Sequence, residues 1–230
     1  MNIRQHFDRE LQTLQDRLLA LGSEVAQNVV SAAQTLLDRN EERARRIIRG
    51  DQTVNEEQMQ IEKDSLIVLA TQQPLASDLR LIASVMAIAT ELERINDYAK
   101  GIAKISLMIG EEELLVPARD LPLMAEKGAD MLSRALQAFV RRDVDAAYAL
   151  HAEDSEVDAL YNRIYEELIG AIREDVLVMD QATHLLWAAH NLERTADRVS
   201  NICERIIFTV TGKLIEMPDD EENEVPYPQT

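Results

Sequence analysis

One acidic motif occurs twice in this sequence of 230 residues. The pattern Leu-Glu-Arg-x-x-Asp stands at residues 92–97 and again at residues 192–197. It places Glu93 four residues before Asp97 and Glu193 four residues before Asp197, so each pair lies on one face of an α-helix. Both copies lie in patterns rich in Leu, Ile, Val and Ala, and carboxylates buried beside an apolar stripe require a basic partner or a metal ion.

The same spacing of oxygen donors occurs once more in each half of the chain, at Asp51-x-x-x-Asn55 and at Asp154-x-x-x-Asp158. Two helices of one bundle can therefore present oxygen ligands towards each other. Oxygen-rich clusters suit Mg, Mn or Fe, whereas His and Cys would favour Zn. The candidate metal ligands are Asp51, Asn55, Glu93, Asp97, Asp154, Asp158, Glu193 and Asp197.

The same residues also have structural interpretations. Asp51 and Asp154 are suited to N-cap positions at the start of a helix. Glu93 and Glu193 can pair with Arg94 or Arg194 of a neighbouring helix. The spacing His190-x-x-Glu193 is the mirror image of a di-iron motif, and its first-half counterpart is Thr90. We therefore expect His190 to be partly exposed and hydrogen-bonded.

Apolar periodicity predicts the helices that position these residues. From Phe7 to Leu36 the apolar residues recur every three and four positions, which indicates one long amphipathic helix. A short second helix is expected to end at residues 50–51, where another begins, and Pro74 ends that one. A third long helix then carries the first motif to about Ile109.

The two halves of the chain form an internal repeat. A shift of 103 residues places Ala32 on Ala135, Asn40 on Asp143 and Asp51 on Asp154, and the shift falls to 100 at the motifs. Together with few Gly, few Pro and 4% aromatic residues, the repeat predicts an all-α fold of two tandem, pseudo-symmetric three-helix bundles. We assign the first bundle to residues 1–110, the second to 111–215 and an acidic, disordered tail to 216–230.

Composition narrows the class of partner and the compartment. With 42 acidic and 24 basic residues, the net charge of −18 argues against nucleic acid or an anionic membrane surface as the main partner. The single Cys203 excludes an intramolecular disulfide and a Cys-based zinc site. The polar opening of the chain does not resemble a signal peptide, and no apolar run is long enough to insert directly into a membrane. We expect a cytoplasmic protein.

These motifs resemble those of the PhoU family, the accessory proteins of phosphate-specific transport. The resemblance rests on the doubled acidic motif, on Gln-Pro-Leu-Ala-Ser-Asp-Leu-Arg at residues 73–80 and on Asn-Ile-Cys-Glu at residues 201–204, and it spans about residues 3–215. Members usually have Gly where this chain has Asn96 and Ala196. The resemblance implies two similar three-helix bundles and, on their acidic motifs, multinuclear Fe or Zn clusters or bound Mg or Mn.

The resemblance also implies a function. Family members repress phosphate uptake and the phosphate-starvation response, linking the ATPase of the phosphate ABC transporter to a sensor histidine kinase. We accordingly expect a regulator that is not an enzyme and that forms a homodimer. One alternative is a di-metal carboxylate oxidase or ferroxidase, but that class requires Glu-x-x-His on two helices, whereas Arg-x-x follows Glu93 and Glu193 here. A metal-free helical scaffold is the other alternative.

Overall fold

The computed structural model describes residues 3–110, 114 and 119–217, and these residues contain α-helices and no strand. The first half comprises α1 (Ile3–Asp38), α2 (Glu41–Gln72) and α3 (Ala76–Ile109). The second half comprises α4 (Asp120–Arg141), α5 (Val144–Ala152), α6 (Asp154–Glu174) and α7 (Met179–Thr211), with a 3-10 turn at Val176–Val178 before α7. The predicted all-α fold is confirmed. None of the described helices is long and apolar enough to cross a bilayer.

The two halves meet through their long helices. Helix α3 packs on α7 and α1 packs on α4, while α2 and α6 lie outside, each against the motif-bearing helix of its own half. Helices α3 and α7 run antiparallel, because Arg80 near the start of α3 donates a hydrogen bond to the carbonyl of Thr209 near the end of α7, across 3.2 Å. One continuous apolar core runs through both halves. Two tandem pseudo-symmetric bundles are thus confirmed, and the residue boundaries assigned to them stay a prediction.

Equivalent helix caps support the register of the repeat. Asn40 precedes α2, and its side chain accepts a hydrogen bond from the backbone N–H of Arg43 at 2.9 Å. Asp143 precedes α5 and accepts one from the N–H of Ala146 at 3.0 Å. The two capping residues lie 103 positions apart, which is the shift found in the sequence.

The predicted helix break at residues 50–51 is wrong in the first half. Helix α2 continues through Gly50 and Asp51 to Gln72, so Asp51 is not an N-cap. Ala44 and Val54, on either side of this position, are completely buried against the neighbouring helices. Such packing outweighs the roughly 1 kcal/mol by which Gly disfavours a helix. In the second half a break does occur, at Glu153 between α5 and α6. Asp154 is the first residue of α6, and the structure shows no side-chain cap there.

The chain beyond α7 folds back on the second bundle. Gly212 ends the helix with a φ of 75°, a left-handed conformation that glycine adopts without a steric penalty. Met217 is only 5% exposed, and its backbone N–H donates a hydrogen bond to Glu204 Oε1 at 2.9 Å. Packing therefore reaches into the tail predicted to start at residue 216, and residues 218–230 lie outside the described residues.

Candidate functional site

The predicted ligands lie in two groups, one in each half. The first cluster comprises Asp51, Asn55, Glu93 and Asp97, carried by α2 and α3. The second cluster comprises Asp154, Asp158, Glu193 and Asp197, carried by α6 and α7. In each half the outer helix packs along the motif-bearing helix, and this packing brings the two acidic spacings to a common face. The clusters occupy equivalent positions, but their surroundings differ.

A lysine lies within the first cluster. The Nζ atom of Lys100 is 2.5 Å from Asp51 Oδ2 and 3.2 Å from Asp97 Oδ1, so it bridges α2 and α3. Asn96 donates a hydrogen bond to Asp51 Oδ1 at 3.0 Å, and Asn28 donates one to Asn96 at 2.9 Å. Both oxygens of the buried Asp51 carboxylate therefore have donors from α3.

The charges of the first cluster are coupled. The hydrogen bond to Asp51 raises the pKa of Lys100, since the carboxylate stabilises the ammonium. Burial raises the pKa of Glu93, and the neighbouring carboxylates of Asp97 and Asp51 raise it further. Asn55 lies one turn after Asp51, and its buried Oδ1 accepts no hydrogen bond in the described part of the chain.

The second cluster lines an open cleft of about 720 Å³. All four of its carboxylates contribute to the wall, together with His151, Ser200, Glu204 and Met217. The Ser200 hydroxyl lies 3.2 Å from Asp154 Oδ2, to which it donates, and 3.1 Å from His151 Nδ1. Ser200 occupies the position equivalent to Lys100, so an uncharged side chain replaces the ammonium.

Negative charge in the second cluster acts most strongly on Glu193. Burial, together with the charges of Asp197, Asp158 and Asp154, raises the pKa of this carboxyl to about 7. Its Oε2 atom lies 3.1 Å from Nδ1 of His190, whose side chain is 55% exposed. The expected exposure of His190 is confirmed, but the expected hydrogen bond is not, since Glu193 Oε2 has no hydrogen-bond partner among the described residues despite this short distance. Carboxylates at short range repel one another when all are charged, and a bound cation would reduce that repulsion.

The two arginines predicted to neutralise the motif glutamates have other partners. Arg94 pairs with Glu91 at 2.8 Å, and the Arg194 guanidinium lies over the ring of Tyr98, 4.9 Å from its centroid. The interpretation that Arg94 or Arg194 forms a salt bridge with Glu93 or Glu193 is therefore wrong. The spacing Glu91-x-x-Arg94 is itself a helical ion-pair spacing, and it could have revealed the first of these contacts.

The two clusters offer different sets of donor atoms to a metal ion. Four carboxylates around one cleft are the kind of donors that Mg, Mn and Fe accept, and His151 adds an imidazole at the wall. The first cluster offers three carboxylates and an amide, and Lys100 already lies among them. In the described residues no three His, Cys, Asp or Glu side chains are placed to share an ion as they stand. The side chains of the second cluster would have to turn towards an ion that binds.

Lys100, Asn96, Ser200 and His151 are the site residues that sequence reasoning missed. Lys100 follows Asp97 by three positions, and this ion-pair spacing was the available signal. For His151 no such signal exists, because its first-half counterpart under the shift of 103 is Ile48.

Fold and clusters together define an all-helical protein of two repeats, each with an acidic cluster between its motif-bearing helix and its outer helix. The family described as PhoU domain matches residues 18–106 and again residues 121–206, and the chain belongs to this family. It is 34% identical over 217 residues to a protein of Clostridium acetobutylicum named phosphate-specific transport system accessory protein PhoU homolog. That alignment covers 94% of this chain and 99% of the relative.

Two crystal structures share the fold. One is the phosphate transport system regulatory protein PhoU from Streptococcus pneumoniae, with a TM-score of 0.85 and 32% identity, covering 92% of this chain and 100% of that chain. The other is PhoU from Pseudomonas aeruginosa, also with a TM-score of 0.85 and 32% identity, covering 90% of this chain and 100% of that chain. The likeness therefore extends through both repeats.

Proposed function

We propose that this protein is an accessory regulator of phosphate-specific transport that represses phosphate uptake and the phosphate-starvation response. It acts in the cytoplasm, without enzymatic activity, as an adaptor between the ATPase of the phosphate ABC transporter and a sensor histidine kinase, and it self-associates as a homodimer. The observation that carries the proposal is the match, along nearly the whole chain, to relatives named phosphate-specific transport system accessory protein PhoU or its homolog. The adaptor role and its partners follow from the family resemblance.

Deletion of the gene tests the regulatory role. A strain without this protein should express a phosphate-starvation reporter in phosphate-rich medium, and the wild-type gene supplied in trans should switch the reporter off. A deletion strain that still represses the reporter normally contradicts the proposal. The adaptor role has its own test: tagged protein should retain the purified transporter ATPase and the cytoplasmic part of the kinase, and failure to retain either one removes that role.

We further propose that the second cluster binds a metal ion through Asp154, Asp158, Glu193 and Asp197. The raised pKa of Glu193 supports this, because burial and the neighbouring carboxylates disfavour its charged form and a divalent cation would stabilise that form. A bound ion would supply positive charge between α6 and α7 and stabilise the second bundle through binding linkage.

The metal is tested by elemental analysis of protein purified without chelator, followed by thermal unfolding. Chelator should lower the melting temperature of the wild type, and added Mn²⁺ or Fe²⁺ should restore it. Asp197→Asn keeps the size of the side chain and removes one charge. It should therefore reduce both the metal content and the rise in melting temperature that metal causes. Unchanged melting at millimolar metal would leave these carboxylates without a role as ligands.

A further inference from the structure

We propose that Lys100 is the resident cation of the first cluster, so that the chain binds a divalent metal only at its second cluster. The statement about the second cluster rests on the proposed function, whereas the statement about Lys100 rests on the contacts of the first. The two repeats would then use different cations, an ammonium between α2 and α3 and a metal ion between α6 and α7, to hold equivalent pairs of helices together.

The position of Lys100 is the position that a bridging ion would take. Its Nζ atom contacts Asp51 of α2 at 2.5 Å and Asp97 of α3 at 3.2 Å, so one positive charge joins two helices. The Asp51 side chain is 6% exposed and that of Lys100 is 26% exposed, so water screens this contact less than it screens a surface ion pair. Removing Lys100 would leave the buried Asp51 carboxylate without a positive partner.

Asp51 is also held by groups behind it. Asn28 donates to Asn96, and Asn96 donates to the Asp51 oxygen that Lys100 does not contact. Each carboxylate oxygen thus already has a donor, and a metal ion approaching Asp51 would be repelled by the ammonium of Lys100. Ala196 stands at the position equivalent to Asn96, so this supporting amide is specific to the first half.

The two clusters also differ in charge. The first has three carboxylates, one amide and the Lys100 ammonium, because Asn55 stands where the second cluster has Asp158. The second has four carboxylates and the neutral Ser200 at the position of the lysine. Attraction of a divalent cation scales with the charge that surrounds it, so the second cluster attracts one more strongly.

The experiment exchanges the residues at the two equivalent positions. The wild type, Lys100→Ser, Ser200→Lys and the double variant are stripped with chelator, and bound Mn²⁺ is measured by equilibrium dialysis with elemental analysis. Lys100→Ser should bind additional Mn²⁺ per chain, and Ser200→Lys should lose the binding of the wild type. Lys104→Ser removes an exposed lysine one turn further along α3, and as the matched control it should bind as the wild type does.

A second background separates this inference from the proposed function. In the variant Asp158→Asn/Asp197→Asn, which disables the second cluster, Mn²⁺ should not change the melting temperature while Lys100 is present. Adding Lys100→Ser to this background should lower the melting temperature in chelator, and Mn²⁺ should raise it again. Mn²⁺ binding in this background with Lys100 in place, or none after Lys100→Ser, overturns the inference. If the wild type binds no Mn²⁺ but Lys100→Ser does, the metal proposal fails while the role of Lys100 stands.

Discussion

Arg198 donates a hydrogen bond from Nε to the hydroxyl of Tyr98 across 3.2 Å. The two residues occupy equivalent positions, each directly after the Asp that ends its motif. Contact between equivalent residues means that α3 and α7 cross where the two motifs lie. The first cluster then faces α2, where Lys100 contacts Asp51, and the second faces α6, where Ser200 contacts Asp154.

Removing Tyr98 should weaken the contact between the two repeats. Its hydroxyl accepts from Arg198 and its ring lies beneath the Arg194 guanidinium. Tyr98→Ala loses both contacts, and we expect it to lower the free energy of unfolding by about 2–3 kcal/mol. Tyr98→Phe retains the ring and should cost only about 0.5–1.5 kcal/mol. Urea unfolding measures both, and equal losses would show that the ring under Arg194 contributes nothing.

The close approach of α1 to α4 explains why residue 22 is a glycine. A Cβ atom at this position would lie 2.0 Å from Cδ1 of Leu136, which is itself 3% exposed. The leucine could yield only by moving within a packed core, so Gly22→Val should destabilise the protein by about 1–3 kcal/mol. In a Leu136→Ala background the same substitution should cost less, because the two side chains no longer compete for the space.

Gly50→Ala is the control for Gly22. Gly50 lies inside α2, and a Cβ atom there would meet nothing within 4 Å. Alanine should therefore stabilise the protein by about 0.5–1 kcal/mol through helix propensity alone. Equal effects at the two glycines would contradict the steric explanation of Gly22.

Local pattern and internal repeat predicted most of the architecture. The apolar periodicity of α1 and the equivalence of Asn40 and Asp143 follow from the sequence alone, and the structure shows both: α1 is one long helix, and the two residues cap equivalent helices. The prediction of a helix break at residues 50–51 failed because the packing of α2 on its neighbours outweighs the low helix propensity of a single glycine. The spacing of Lys100 after Asp97 signals their ion pair, but the contact of Lys100 with Asp51 on α2 has no local signal, since it depends on which rotamer reaches across to another helix.

Met217 should stabilise the end of the second bundle. Its side chain is 5% exposed at the wall of the acidic cleft, whereas Leu214, three residues earlier, is 71% exposed. We expect Met217→Ala to lower the free energy of unfolding by about 1–2 kcal/mol, below the range for a central core residue because the chain end can adjust. Leu214→Ala should stay within about 0.5 kcal/mol of the wild type. Denaturant unfolding compares the two, and equal effects would mean that the returning segment does not pack in solution.

Glu193 should make the stability of the metal-free protein depend on pH. Burial and the three neighbouring carboxylates raise its pKa from 4.5 to about 7, so between these values the folded state holds a proton that the unfolded chain has released. The free energy of unfolding therefore falls as pH rises through this window and levels off above it. Glu193→Gln cannot ionise, and near about pH 8 it should be more stable than the wild type by about 1–3 kcal/mol.

The advantage of Glu193→Gln should shrink as the pH is lowered from about 7 and disappear below about 4.5, where wild-type Glu193 is protonated in both the folded and the unfolded state. Glu93→Gln is the matched control in the other repeat. The pKa of Glu93 is also raised, by burial and by Asp97 and Asp51, but nearby Arg94 and Lys100 favour its charged form. Glu93→Gln should therefore gain less stability over the wild type at high pH than Glu193→Gln does. Chelator-treated protein unfolded in urea across the pH range measures all three proteins, and parallel profiles for the wild type and Glu193→Gln would show that this carboxyl titrates at its ordinary pKa.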